Sequence, residues 1–249
     1  MNSKRFNPLS DIRFSADLLK VFAVIAMLSD HLAYSIIFPY TISMAGNSDP
    51  VFISRMTKLN DIMRGFGRLA FPIFAFFLVE GFFHTHNIVK YASRLAVFAI
   101  LSEYPFDMAL YGRFPYNNHQ NVLFEMLCGL VMLSVLKLIR DRLAVSNLLR
   151  DILYLCTLAA FSELSSILHL DYQYKGMILF FVLFILHEYK EFSALAGAAA
   201  VSWEKFAPIS FVLIYFYDPD LKRRLRYFFY LFYPIHLGVL AIIRYLLGI

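Results

Sequence analysis

One stretch limits what this chain can become. Residues 18–33 read Leu-Leu-Lys-Val-Phe-Ala-Val-Ile-Ala-Met-Leu-Ser-Asp-His-Leu-Ala. An apolar run of roughly 20 residues crosses the hydrocarbon core as a helix at about 1.5 Å per residue. An acid inside such a run costs about 2.5–3.5 kcal/mol to insert, so Asp30 is expensive where it stands. His31 is cheaper, because an imidazole can sit there neutral and still exchange a proton near neutral pH. A spanning helix that keeps this pair is read as a working part.

The rest of the chain repeats the apolar pattern. Of 249 residues, 60% are hydrophobic, and a mean hydropathy of +0.62 excludes a soluble domain. The fold class is all-α: one domain, residues 1–249, built as a polytopic transmembrane helix bundle. The longest polar stretch, 41–64, leaves no room for a separate soluble unit. Cys128 and Cys156 lie singly inside apolar runs and read as small core residues. The first run is too long for a signal peptide and is taken as a retained span.

Spans fall at about 18–38, 65–83, 92–111, 121–139, 149–170, 176–187, 192–202, 206–217 and 227–247, about nine in all. The region 192–217 reads either as one helix broken at Trp203-Glu204-Lys205 or as two short ones. Nine spans with a cytoplasmic N-terminus gather Arg13, Lys90, Arg140, Arg142, Arg150 and the 222–226 cluster on the inner side. Eight spans would put that cluster outside. In the nine-span register His31 and His236 both lie near the midplane, with Glu103 at comparable depth.

Neighbours on a helix point about 100° apart, so Asp30 cannot orient His31 and each needs a partner from elsewhere. Arg68 in the second span is the expected partner of Asp30. Pro72 allows that span to kink. His84-Thr85-His86, two histidines at i and i+2 without an acid nearby, is not expected to make a metal site. Asn121 and Glu125 open the fourth span, and Asp171, Tyr172 and Gly176 precede the sixth. In the last span His236 shares a face with Tyr233, and Pro234 frees a backbone carbonyl close by.

Asp30-His31, Gly67-Arg68 through Phe74, Asn121-Val122-Leu123-Phe124, Asp171-Tyr172 with Gly176, and Tyr233-Pro234-Ile235-His236-Leu237 resemble, in order and spacing, the successive motifs of TraX-type proteins. That family takes its name from the F-pilin acetylase, which acetylates the N-terminal amine of mature pilin with acetyl-CoA. It is distantly similar to the broader integral-membrane acyltransferases, where a histidine of the first helix is catalytic. The resemblance implies a bacterial cytoplasmic-membrane enzyme with His31 as catalytic base and Asp30 and His236 as catalytic supports. It implies Arg68, Glu103, Asn121 and Tyr233 as substrate-binding positions.

The residues suit that chemistry on their own terms. Acyl transfer from a thioester needs a base for the acceptor's proton and polar support for the oxyanion. Lys20 lies on the stripe of His31, roughly 16 Å towards the inner face. With Lys222, Arg223, Arg224 and Arg226 it can grip the phosphates of acetyl-CoA, the expected acyl donor. Expected partners are membrane lipids, acetyl-CoA and a peptide, pilin or glycan acceptor; neither nucleic acid nor a metal is expected. Two rival readings remain open: a proton-coupled transporter using Asp30, His31 and Glu103 as a relay, and a pilus-assembly component without catalysis. No inverted repeat relates the two halves, which argues against the first.

Overall fold

The computed structural model describes residues 12–46, 48–221 and 228–249. Its elements are α1 (Ala16–Leu32), a π-helical turn (Ala33–Ile37), α2 (Phe38–Met44), α3 (Pro50–Gly67), α4 (Ala70–His84) and α5 (Ile88–Tyr111). They continue with α6 (Val122–Arg142), α7 (Asn147–Ile167), α8 (Gln173–Ile185), α9 (Lys190–Ala200), α10 (Ile209–Tyr215) and α11 (Phe228–Leu247). Among the described residues β-structure amounts to one isolated bridge, Phe14 to Tyr217. The all-helical expectation holds.

Helix starts follow local chemistry. Ser15, Asn87, Asn121 and Ser146 cap α1, α5, α6 and α7 by accepting a first-turn N–H on a side-chain oxygen. The polar stretch 41–64 is itself largely helical: Asp49 caps α3 and Pro50 occupies its first turn. α3 runs almost directly into α4, so the second expected span is the latter half of a longer rod. At the centre, α4 touches α1, α6, α8 and α10. Apart from Glu80 and His84 towards its end it is apolar on all sides, with Phe71, Ile73, Ala75, Leu78 and Phe82 buried, as a helix enclosed by others must be.

Among the described residues four stretches are long and apolar enough to cross a membrane: Ala16–Met44, Pro50–His84, Val122–Arg142 and Phe228–Leu247. The helices α8, α9 and α10 hold 13, 11 and 7 residues. At about 1.5 Å per residue none of these three covers a hydrocarbon core of about 30 Å alone. The spans expected at 192–202 and 206–217 are instead the arms of a short antiparallel hairpin. Lys190 Nζ donates to the Tyr217 carbonyl (3.2 Å) at its base. Further up, a Cβ on Gly197 would stand 2.2 Å from the Phe211 ring, so only glycine lets the arms close. Its tip carries Trp203, Glu204 and Pro208, where polar groups and an imide stop both helices.

The bundle has two distinct ends. At one, Arg13 pairs with Asp218 (3.1 Å), His187 with Glu80 (2.9 Å), and the Phe14 N–H donates to the Phe216 carbonyl (2.8 Å). At the other, Arg68 meets Glu204 (3.8 Å), His119 meets Asp171 (3.0 Å), and the Gln120 N–H donates to the His169 carbonyl (3.0 Å). Cys128 is buried as expected, whereas Cys156 is exposed on α7 and is no core residue.

Candidate functional site

The site begins where α1 loosens. Directly after Leu32 the helix widens into the π turn, and the Ser35 hydroxyl donates to the His31 carbonyl (2.6 Å). π turns interrupt an α-helical ladder and are common at functional sites. The His31 ring lies parallel to that of His236 on α11, their planes 4° apart, and His31 Nδ1 and His236 Nε2 are 2.7 Å apart. His236 Nδ1 in turn lies 2.8 Å from the Phe232 carbonyl oxygen.

That chain of contacts assigns the protons. A carbonyl oxygen only accepts, so His236 carries its proton on Nδ1 and offers the Nε2 lone pair. His31 must then donate through Nδ1–H, which leaves its Nε2 as the lone-pair nitrogen. A backbone carbonyl and a second imidazole thus orient His31, the task a carboxylate performs in a serine protease triad. Tyr233, buried, packs edge-on to both rings.

His31 faces a cavity of about 450 Å³ whose wall includes Asp30, Arg64, Arg68, His119, Asp171 and Tyr172. Trp203 and Glu204 of the hairpin tip, Lys175 of α8, and Tyr34 and Tyr111 complete its polar and aromatic lining. It belongs to the end of the bundle opposite the Arg13–Asp218 pair. Asp30 Oδ1 stands 3.7 Å from both Arg64 Nε and Arg68 Nη2, so it has two cations where the sequence suggested one. Close approach of α3 to α1 makes this possible: a Cβ on Gly67 would sit 2.3 Å from the Asp30 Cβ. Arg68 also reaches Glu204 and so joins the hairpin tip to the first span.

The turn before α8 is held by less obvious means. His169 and Gln173 both adopt φ of 52°, left-handed backbone that non-glycine residues rarely take. Between them Asp171 and Tyr172 project into the cavity wall, Tyr172 stacked on Phe71 at 3.6 Å. Beneath lies fully buried Glu125, which accepts from the Ser165 hydroxyl (3.2 Å). Gly176 leaves room for its other oxygen, since a Cβ there would stand 2.2 Å from Glu125 Oε1. At the rim His119 Nε2 meets Asp171 Oδ1 at 3.0 Å. Burial pulls the His119 pKa down, but its bond to the Asp171 carboxylate, with Glu103 and Asp107 behind, outweighs this and the net shift is upward.

Of the residues expected at the site, Asp30, His31 and Arg68 share the cavity. His236 stands behind His31 and does not line it. Glu103 and Asn121 do not line it either: they bond each other while Asn121 caps α6 through Leu123 N–H (3.1 Å) and donates to the Ala99 carbonyl (2.9 Å). Their observed work is to fix the α5–α6 corner. Tyr233 and Lys20 border a second, narrower cavity of about 140 Å³. Met27, Phe74 and Val122 line both cavities. Lys20 Nζ lies 4.7 Å from the Phe77 ring centre and 5.7 Å from that of Phe229. Lys222, Arg223, Arg224 and Arg226 lie outside the described residues. Arg64, His119 and Glu204 were not anticipated; the one local hint for His119 is its dense polar loop, Asn117-Asn118-His119-Gln120-Asn121.

The family model described as "TraX protein" matches residues 15–244. The chain is 29% identical over 265 residues to a Dichelobacter nodosus protein named "Probable fimbrial assembly protein FimC, serogroup H1", covering 93% of this chain and 96% of the relative. No solved structure matches.

Proposed function

The chain belongs to the TraX family, and on that premise we propose that it is an integral-membrane acetyltransferase taking acetyl from cytoplasmic acetyl-CoA. The acceptor is an amine of a pilin or other peptide, or a glycan hydroxyl; the fimbrial-assembly name of the relative favours the pilin. The observation that carries this reading is the proton assignment at His31, whose Nε2 is the lone-pair nitrogen of a residue lining a polar cavity. A base so oriented takes the acceptor's proton as its nitrogen or oxygen attacks the thioester carbonyl. The guanidinium groups of Arg64 and Arg68 supply positive charge within the same wall as the oxyanion develops.

The two cavities suit two substrates. With the N-terminus inside, the wide cavity faces the outer side and receives the acceptor. The narrow, apolar one leads from Lys20 towards His31, about 16 Å along α1, a span an extended pantetheine arm covers. Lys20 then holds the donor's phosphates at the inner mouth, the role that the sequence also assigns to Lys222, Arg223, Arg224 and Arg226. Localisation in the cytoplasmic membrane follows from the same reading.

The test is donor binding followed by transfer. Purified protein in lipid nanodiscs should gain about 2.7 kcal/mol of stability with acetyl-CoA at a hundredfold excess over its Kd. It should release CoA thiol only when a pilin-like peptide amine is added. Absence of both responses removes the enzyme reading and leaves a non-catalytic assembly component.

A further inference from the structure

Transfer of acetyl to an amine poses a proton problem that one base does not solve. At neutral pH an aliphatic amine arrives mostly as R–NH3+, a form that cannot attack until it loses a proton. A second proton leaves the nitrogen once the C–N bond forms. The departing thiolate takes back only one, so each turnover on an ammonium acceptor must export one proton. Hydroxyl acceptors export none.

His31 and His236 account for the proton that returns to sulfur, and both are buried. The rim holds a second imidazole. His119 and Asp171 are both 28% exposed at their side chains, 3.0 Å apart, and line the same cavity wall as His31. Around His119 stand Asp171 from the turn before α8, and Glu103, Asp107, Phe106 and Tyr111 from α5. Resting on the acyltransfer reading, we infer that His119, held by Asp171, is a second catalytic base that strips the first proton from an ammonium acceptor and passes it to water at the cavity mouth.

The steps balance. R–NH3+ gives its proton to neutral His119, leaving R–NH2 and His119–H+. The amine nitrogen bonds to the thioester carbonyl carbon, His31 Nε2 takes the nitrogen's second proton, and the C–S bond breaks. That proton passes to the thiolate to give CoA–SH, while His119–H+ discharges to solvent. The neighbouring carboxylates raise the basicity of His119 towards that of the proton it must accept.

Acceptors that differ in charge separate the two bases. The full-length protein is supplied with acetyl-CoA and one of two peptides, one ending in an α-amine and one in an aminooxy group, which is neutral at pH 7. CoA–SH release is followed as a function of pH. Replacing His119 by Asn should lower kcat/KM for the α-amine roughly six- to tenfold at pH 7, because only about a tenth to a sixth of an α-amine is neutral there and can react without that base. With the aminooxy peptide the deficit should shrink to within about threefold, and the α-amine deficit should shrink as pH rises. Asp171→Asn, which keeps the imidazole, should move the pH profile for the α-amine to lower pH. An equal deficit with both acceptors, or no deficit with either, overturns the assignment. If the wild type releases no CoA–SH with either peptide, the acyltransfer reading itself has failed and His119 falls with it.

Discussion

Two histidine pairs line or back one cavity, and their partners make them different tools. His31 leans on a second imidazole, buried between α1 and α11, that leans on the half-buried Phe232 carbonyl. His119 leans on the Asp171 carboxylate in a loop at the rim. A neutral partner fixes which nitrogen carries the proton without holding a charge in place; a carboxylate stabilises the imidazolium and raises its pKa. The side chain is the same, so the difference lies in what each neighbour can accept and how much water reaches it.

The largest effect should come from the buried pair. His31→Ala should lower turnover by about 10²–10⁴-fold while acetyl-CoA still stabilises the protein. Near-normal CoA–SH release would dissolve the contrast, since both histidines would then be packing residues. A subtler change sharpens it. His236→Leu leaves the His31 Nδ1–H buried without an acceptor, a loss of about 1–3 kcal/mol, or roughly tenfold in rate for each 1.4 kcal/mol. His236→Gln, which can accept from His31 and donate to Phe232, should recover most of that. Equal activity in the Leu and Gln variants would show that the tautomer is not set by His236.

The smallest effect concerns stability at the rim. The folded pKa of His119 lies above its ordinary value of 6.5. Its ion pair therefore stabilises the fold fully below about pH 6.5, and that contribution is lost as pH rises through the folded value. For a pair this exposed the gain is below about 1 kcal/mol. Amide hydrogen exchange in residues 113–121, corrected for its intrinsic pH dependence, should quicken across that window in the wild type and not in His119→Gln. The same pH response in both would mean that the Asp171 contact has no bearing on the loop.

Much of this was legible in the residues. Long apolar runs placed α5, α6, α7 and α11 close to their observed bounds, and took α1 together with the π turn that continues it as one span, because a helix of that length declares itself locally. Asp30, His31 and Arg68 stood out because charge inside apolar sequence is conspicuous. What stayed hidden depends on contacts far apart in the chain. α3 was signalled by Asp49-Pro50 but masked by its polar composition. The folding back of 192–217 turns on one close approach, Gly197 to Phe211, which no periodicity reveals. Arg64 reaches Asp30 because Gly67 admits α3 to α1, and His119 reaches Asp171 across 52 residues. Glu103 looked like a relay residue by depth alone, yet its oxygen serves Asn121.

The widened turn after His31 has a mechanical side. A π turn is one surplus residue lodged in an α-helix, and the surplus can in principle shift along the rod, turning each residue it passes by about 100°. Any step of that kind towards the N-terminus would swing the His31 imidazole off His236 and out of the cavity. Two bonds stand against it: the Ser35 hydroxyl on the His31 carbonyl at 2.6 Å and the contact between the two rings at 2.7 Å. Ser35 is therefore the pawl of a ratchet, a small buried hydroxyl outside the cavity wall that keeps the base from being indexed out of place.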